Sequence, residues 1–196
     1  MRGIILTFFL IFFTQIGKAQ DYNVIRSNLE QYVNHSIANR KAVVPTAQKY
    51  GFESYKMDSL NQLIYFKDSL HLQYVVSVLN EHGWLGISEI GKKANLSLFL
   101  AVQNSKNDPV RERYFPLLKA SAEKQESSLA QMATMQDRIW ISKKKPQMYG
   151  TQWNYIGDQS MLYPLMNGAK INDFRKSVGL APLSEEDIKL AQSKFQ

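Results

Sequence analysis

Apolar positions recur at helical spacing along most of the chain. Over residues 21–39 (DYNVIRSNLEQYVNHSIAN), Val24, Leu29, Val33 and Ile37 fall near a 3.6-residue period and predict a first helix. Lys41 to Tyr55 carries Pro45 and Gly51 and predicts a loop. Ser59-Leu60-Asn61-Gln62 has the form of a capping box, with Asp58 just before it. A helical pattern then runs through Leu63, Ile64, Tyr74, Val75, Val78 and Leu79, and Gly83 is a natural residue to close it. Ser88 to Val102 predicts a third helix on Leu96, Leu98, Phe99, Leu100 and Val102. In Asp108-Pro109 the aspartate reads as N-cap and the proline as first helical residue. Pro116 should kink or restart that helix, which ends near Gln125. Ser127 to Ser142 predicts a fifth helix, with Leu129, Met132, Met135 and Ile139 as its inward stripe.

The period then drops to two. From Gln147 to Tyr155 one face of an extended strand carries Gln147, Tyr149, Thr151, Trp153 and Tyr155; the other carries Met148, Gly150, Gln152 and Asn154. Gly157-Asp158 predicts a turn, and Gln159 to Tyr163 a returning strand. Two more helices, Ile171 to Val178 and Ser184 to Lys194, complete the pattern. The predicted fold class is mainly α: a single helical domain of about six or seven helices with one β-hairpin near the C-terminal third.

The first residues follow a different logic. MRGIILTFFLIFFTQIGKAQ has a positive start at Arg2, an apolar core from Ile4 to Phe13, and small residues at Gly17 and Ala19. That is the layout of a signal peptide over 1–19, with a mature start near Gln20. The apolar run is about ten residues, short of the ~30 Å needed to span a hydrocarbon core, so an uncleaved anchor is the weaker alternative. The expected localisation is exported, periplasmic or extracellular, with no stable membrane insertion once the leader is removed. Residues 20–67 then read as an N-terminal helical extension packed on a core domain over 68–196.

Composition narrows the chemistry. With 44% hydrophobic and 21% charged residues the chain is globular rather than disordered. The absence of cysteine excludes disulfides, a thiol nucleophile and thiolate metal ligands. The formal charge of +7 falls to +5 without Arg2 and Lys18, and Lys143 to Lys145 form the dense cluster. That cluster reads either as an attractor for anions or as a solvated helix C-terminus. Nucleic acid is not expected as a partner, since no recognition motif is present. There is no nucleophile elbow, phosphate-cradling glycine loop, zincin motif or dinucleotide fingerprint, and no cofactor is expected. Asp68 and His71 sit three apart on a presumed helix, but His82 lies roughly 16 Å further along its axis, so no metal site is expected.

Two stretches carry candidate chemistry. Arg138 flanks the apolar stripe set by Met135 and Ile139, so an arginine turned partly inward needs a partner. It reads as a structural clamp or as an anion-binding guanidinium. In the predicted strand, Gly150 is out of place unless there is a bulge or a close backbone approach. On the same face as Gly150, the amides of Gln152 and Asn154 suit sugars or amides as ligands, or the strand serves to pack Arg138.

Several pieces occur in a telling order: GWLGISEIG (83–91), LFLAVQN (98–104), YFPLL (114–118), DRI (137–139), PQMYGTQ (146–152) and INDFRKSVGLAPL (171–183). Together they resemble a bacterial family, common in Bacteroidetes, catalogued as domain of unknown function 6624, over about 68–183. The resemblance implies characteristic polar positions at Asp68, Gln103, Asp137, Arg138, Gln147, Tyr149, Gly150, Thr151, Gln152 and Arg175. It also exposes two departures: Asn104 stands where relatives carry histidine, and Phe174-Arg175 where they carry paired arginines. An amide does not titrate, so Asn104 cannot replace a histidine acid or base.

The reading that follows is an exported, non-catalytic domain. It binds a polar or anionic small molecule or a glycan through Gln103, Asn104, Arg138, Gln147, Tyr149, Gly150, Thr151 and Gln152, gathered in one cleft between helices and hairpin. One alternative is a hydrolase or transferase using Asp137 as acid/base and Arg138 to stabilise an anion. The other is a structural or interaction domain in which the motif only ties helix to hairpin.

Overall fold

The computed structural model describes residues 3–156 and 159–193, with side chains from residue 22 onward apart from 155, 156, 159 and 193. The side chains of the leader and its cleavage site, and the Gly157-Asp158 turn, lie outside the residues so described. The chain is mainly helical with one small antiparallel hairpin, as the periodicity predicts. It divides into two compact units, Met1–Asn104 and Ser105–Gln196.

The first unit holds α1 (Gly3–Lys41), α2 (Val43–Tyr50), α3 (Tyr55–His82) and α4 (Ile87–Gln103). Its core joins Ile25, Leu29 and Val33 of α1 to Val75, Val78 and Leu79 of α3 and Ala94, Leu98 and Val102 of α4. Two expectations fail here. The predicted loop over 41–55 contains α2: Pro45 is its third residue, where an N–H has no helical partner to lose. The next helix starts at Tyr55, not at the Ser59 box, because the Ser54 side chain accepts from Met57 N–H at 3.3 Å. Gly83 closes α3 at φ +72, as expected. Two polar pairs tie the helices of this unit together. Arg40 donates to Asp68 at 2.7 Å, and His71 Nε2 meets Ser97 Oγ at 2.8 Å while its ring stacks on Tyr32 at 4.6 Å.

The second unit begins with α5 (Asp108–Glu123) and α6 (Leu129–Ser142), which pack as a pair. The N-cap of α5 is Asn107, one residue before the expected Asp108, and the helix runs through Pro116 without a restart. Ser128 caps α6 through Gln131 N–H, and Met132, Met135 and Ile139 are buried as predicted, while Leu129, the first residue of the predicted stripe, is exposed in the first turn. Strand β1 (Trp153–Ile156) pairs with β2 (Gln159–Leu162), Trp153 opposite Leu162 and Ile156 opposite Gln159. A short 3-10 turn (Gly168–Lys170) leads into α7 (Ile171–Ser177), and α8 (Glu185–Ser193) lies against β2. The core strand is shorter than predicted: Met148 to Gln152 is not extended, for a reason found in the site.

Candidate functional site

The site is built on α6. Ala133 and Asp137, four residues apart, are both fully buried and form a second inward stripe beside Met132, Met135 and Ile139. A carboxylate inside a protein must be paired, and among the described residues no cation forms an ion pair with it. Its partners are main-chain donors instead. Oδ1 accepts from Met148 N–H at 2.8 Å and Tyr149 N–H at 3.1 Å; Oδ2 accepts from Thr151 N–H at 3.1 Å and Thr151 Oγ1 at 2.9 Å.

This pairing explains why the chain curls. In a strand, successive N–H groups point to opposite sides, so one carboxylate cannot reach those of 148, 149 and 151 together. The backbone bends at Gly150, which takes φ +63, a region that L side chains avoid. An added Cβ there would stand 2.8 Å from Leu183 Cδ1. The alternating Tyr149, Thr151 and Trp153 therefore mimic a strand that only starts at Trp153.

Two more side chains hold the curl from its other sides. Gln147 is fully buried: its Nε2 donates to Gln152 O at 3.0 Å and Tyr163 O at 2.9 Å, and its Oε1 accepts from Gln152 N–H at 2.8 Å. Its backbone bonds Pro164 O and Met166 N–H, which makes a parallel bridge to Leu165. From α7, Arg175 Nη1 donates to the carbonyls of Tyr149 at 2.8 Å and Gly150 at 2.9 Å, and Nε to Ala181 O at 2.5 Å. The loop thus gives its N–H groups to an anion on one side and its C=O groups to a cation on the other.

Electrostatics follow the geometry. Burial pushes the Asp137 carboxyl above its ordinary value, while the donors of Tyr149, Thr151 and Met148 oppose that shift. Burial lowers Arg175, with Asp137 pulling it back up. Tyr149 is raised by burial and then by the same carboxylate.

The candidate residues are distributed unequally. Asp137, Gln147, Tyr149, Gly150, Thr151 and Gln152 come together in the second unit as one hydrogen-bonded cluster. Arg138 does not join it. Expected to turn partly inward, it is exposed, since one step along the helix rotates a residue by about 100° away from Asp137. Among the described residues it makes no ion pair or hydrogen bond, and its charge is felt by Arg111, whose pKa burial and Arg138 both lower. Gln103 and Asn104 belong to the first unit, where Gln103 ends α4 buried and Asn104 caps it through Leu100 O. Arg175 is the functional side chain that pattern reasoning alone misses. It lies 26 residues from Tyr149, and only its place among the family's polar positions marks it.

A groove of about 620 Å³ adjoins the curl, lined by Lys144, Lys145, Pro146, Tyr163, Leu165 and Gln192 among others. The motif shapes its floor, because Gln147 fixes Pro146 on one side and Tyr163 to Leu165 on the other. The lysines arrive through a Schellman ending of α6: Lys145 N–H bonds Trp140 O and Lys144 N–H bonds Ile141 O, each at 2.9 Å. Lys144 takes φ +58 there, in the position glycine usually fills. Lys143 pairs with Glu112 at 2.8 Å, while Lys144 and Lys145 have no acidic partner among the described residues.

No curated protein and no solved structure matches the chain. A family model does match, over residues 29–195, well beyond the stretch marked by the sequence motifs. Asp137, the PQMYGTQ loop and Arg175 all fall inside that range, and the chain belongs to the family of unknown function DUF6624.

Proposed function

We propose that the second unit is a non-catalytic binding module for a small anionic ligand with an apolar body, held in the groove beside the motif loop. The observation that carries this reading is the pair Lys144 and Lys145, without acidic partners among the described residues, over a floor of Pro146, Tyr163 and Leu165. Lys144 in a left-handed backbone costs on the order of 1–2 kcal/mol relative to glycine. Backbone strain of this kind concentrates at ligand clamps. The motif residues act as scaffold: Asp137, Gln147 and Arg175 hold the loop and strand segments that form the floor. An acid/base role for Asp137 is disfavoured by its complete burial and by the four donors that occupy its oxygens. The same saturation supports the structural part of the third reading.

The exported location expected from the leader makes an envelope or extracellular anion the natural ligand class. Phenyl phosphate and the neutral phenyl glucoside serve as probes in amide chemical-shift titrations. Phenyl phosphate should shift Ile141, Lys144, Tyr163 and Leu165, bind more tightly than the glucoside, and weaken at least fivefold in Lys144→Gln/Lys145→Gln. Equal binding of the two probes, or no dependence on the lysines, would overturn the proposal.

A further inference from the structure

Helix α3 has two apolar faces. One is the core face, with Met57, His71, Val75 and Val78 buried. On the other, Tyr55, Leu63, Phe66 and Leu70 fall within an arc of about 80° and extend for roughly 22 Å. These four are 79%, 44%, 59% and 38% exposed, and Phe52, in the turn just before the helix, is 76% exposed. An apolar stripe opposite the core is the mark of a surface that contacts something else. Lys56 and Lys67 border it on α3, and Lys49 lies 5.0 Å from the Tyr50 ring at the end of α2. Across 41–67 four lysines stand against Glu53 and Asp58, so the patch is net positive.

We infer that the α2–α3 tip is a docking surface for an anionic lipid bilayer. Phe52 and Tyr55 enter the interfacial layer, and Lys49, Lys56 and Lys67 meet the headgroup charge. Tyrosine and phenylalanine with flanking lysines is the composition of interfacial segments, where apolar burial and attraction to anionic lipid add. The two most exposed side chains, Phe52 in the turn and Tyr55 at the first residue of α3, stand together at one end of the stripe. A second copy of the chain would instead bring the same lysines against one another. Among the described residues no helix is long and apolar enough to cross a membrane.

The chain has no cysteine, so one introduced thiol takes one label. An environment-sensitive fluorophore on full-length Glu53→Cys reports the tip. The same fluorophore on Glu81→Cys, whose side chain is 75% exposed at the other end of α3, reports any attachment made elsewhere. With phosphatidylglycerol/phosphatidylcholine vesicles the label at 53 should brighten and shift to the blue, and the label at 81 should not. Phosphatidylcholine alone should give a weaker response. Phe52→Ser/Phe66→Ser should lower partitioning at least tenfold, and each of Lys56→Gln and Lys67→Gln about fivefold. Equal responses at 53 and 81, partitioning unaffected by the aromatic pair, or no response to anionic vesicles would overturn the inference. So would a dimer that dissolves in Phe66→Ser without any vesicle response, which gives the face to a second copy.

Discussion

Replacing Asp137 tests the scaffold most severely. Asp137→Ala leaves the N–H groups of Met148, Tyr149 and Thr151 inside the protein without their acceptor. Each such group costs about 1–3 kcal/mol when it finds no substitute. One water entering the vacated volume can accept from two of them, each bond to water being about 1 kcal/mol weaker than one to the carboxylate, and the unmet third adds about 1–3 kcal/mol, so the expected loss is about 3–5 kcal/mol. Asp137→Asn keeps one acceptor oxygen, but turns an amide NH₂ toward Thr151 N–H; Thr151 Oγ1 can rotate away, the backbone cannot. About 2–3 kcal/mol should be lost. Urea unfolding with an unchanged m-value measures both. In a chain of this size the alanine variant should melt about 6–20 °C lower. An Asp137→Asn protein within 1 kcal/mol of wild type would refute the reasoning, because it would mean that the amides do not depend on the carboxylate.

Arg175→Ala should lose about 1–2 kcal/mol in the same urea assay by freeing the carbonyls of Tyr149 and Gly150, whereas exposed Arg138→Ala should stay within about 0.5 kcal/mol. Lys144→Gly should raise stability by about 1 kcal/mol through its left-handed backbone while weakening phenyl phosphate binding, a split that thermal melts and titrations read separately. Burial depresses His71 from 6.5 to about 4, so the unfolded chain binds more protons between those values. Stability is therefore full above pH 6.5 and is lost as pH falls toward 4, by about 3 kcal/mol in all. Urea midpoints at pH 7 and 4.5 should differ in wild type and converge in His71→Gln.

Long amphipathic helices were readable because burial repeats at their own period. The stripe of Met132, Met135 and Ile139 and the glycine stop at Gly83 both appear as predicted. Helix α2 is hidden in the sequence because it is only eight residues long with Ala47 as its one buried side chain, and Pro45 looks like a breaker when its first-turn position is unknown. The motif loop reads as a strand for a deeper reason. Alternating aromatic and β-branched residues describe a pleated surface, but the backbone here obeys a carboxylate ten and more residues upstream. A side chain satisfied by main-chain N–H groups leaves no complementary residue type to find in the sequence. Arg138 drew notice as the charge beside an apolar stripe, while its neighbour Asp137 is the one that turns in. Gly150 was the visible clue, since a glycine inside an apparent strand marked the bend.

The central claim is that the motif loop is wrapped on the Asp137 carboxylate as a fixed scaffold and is not an open reactive site. Amide hydrogen exchange at Met148, Tyr149 and Thr151, followed residue by residue by NMR, tests it most directly. All three amides should exchange only with global unfolding in the wild type. In Asp137→Asn, Thr151 should lose protection first. Rapid exchange of these amides in the wild-type protein, on the timescale of an exposed loop, would contradict it.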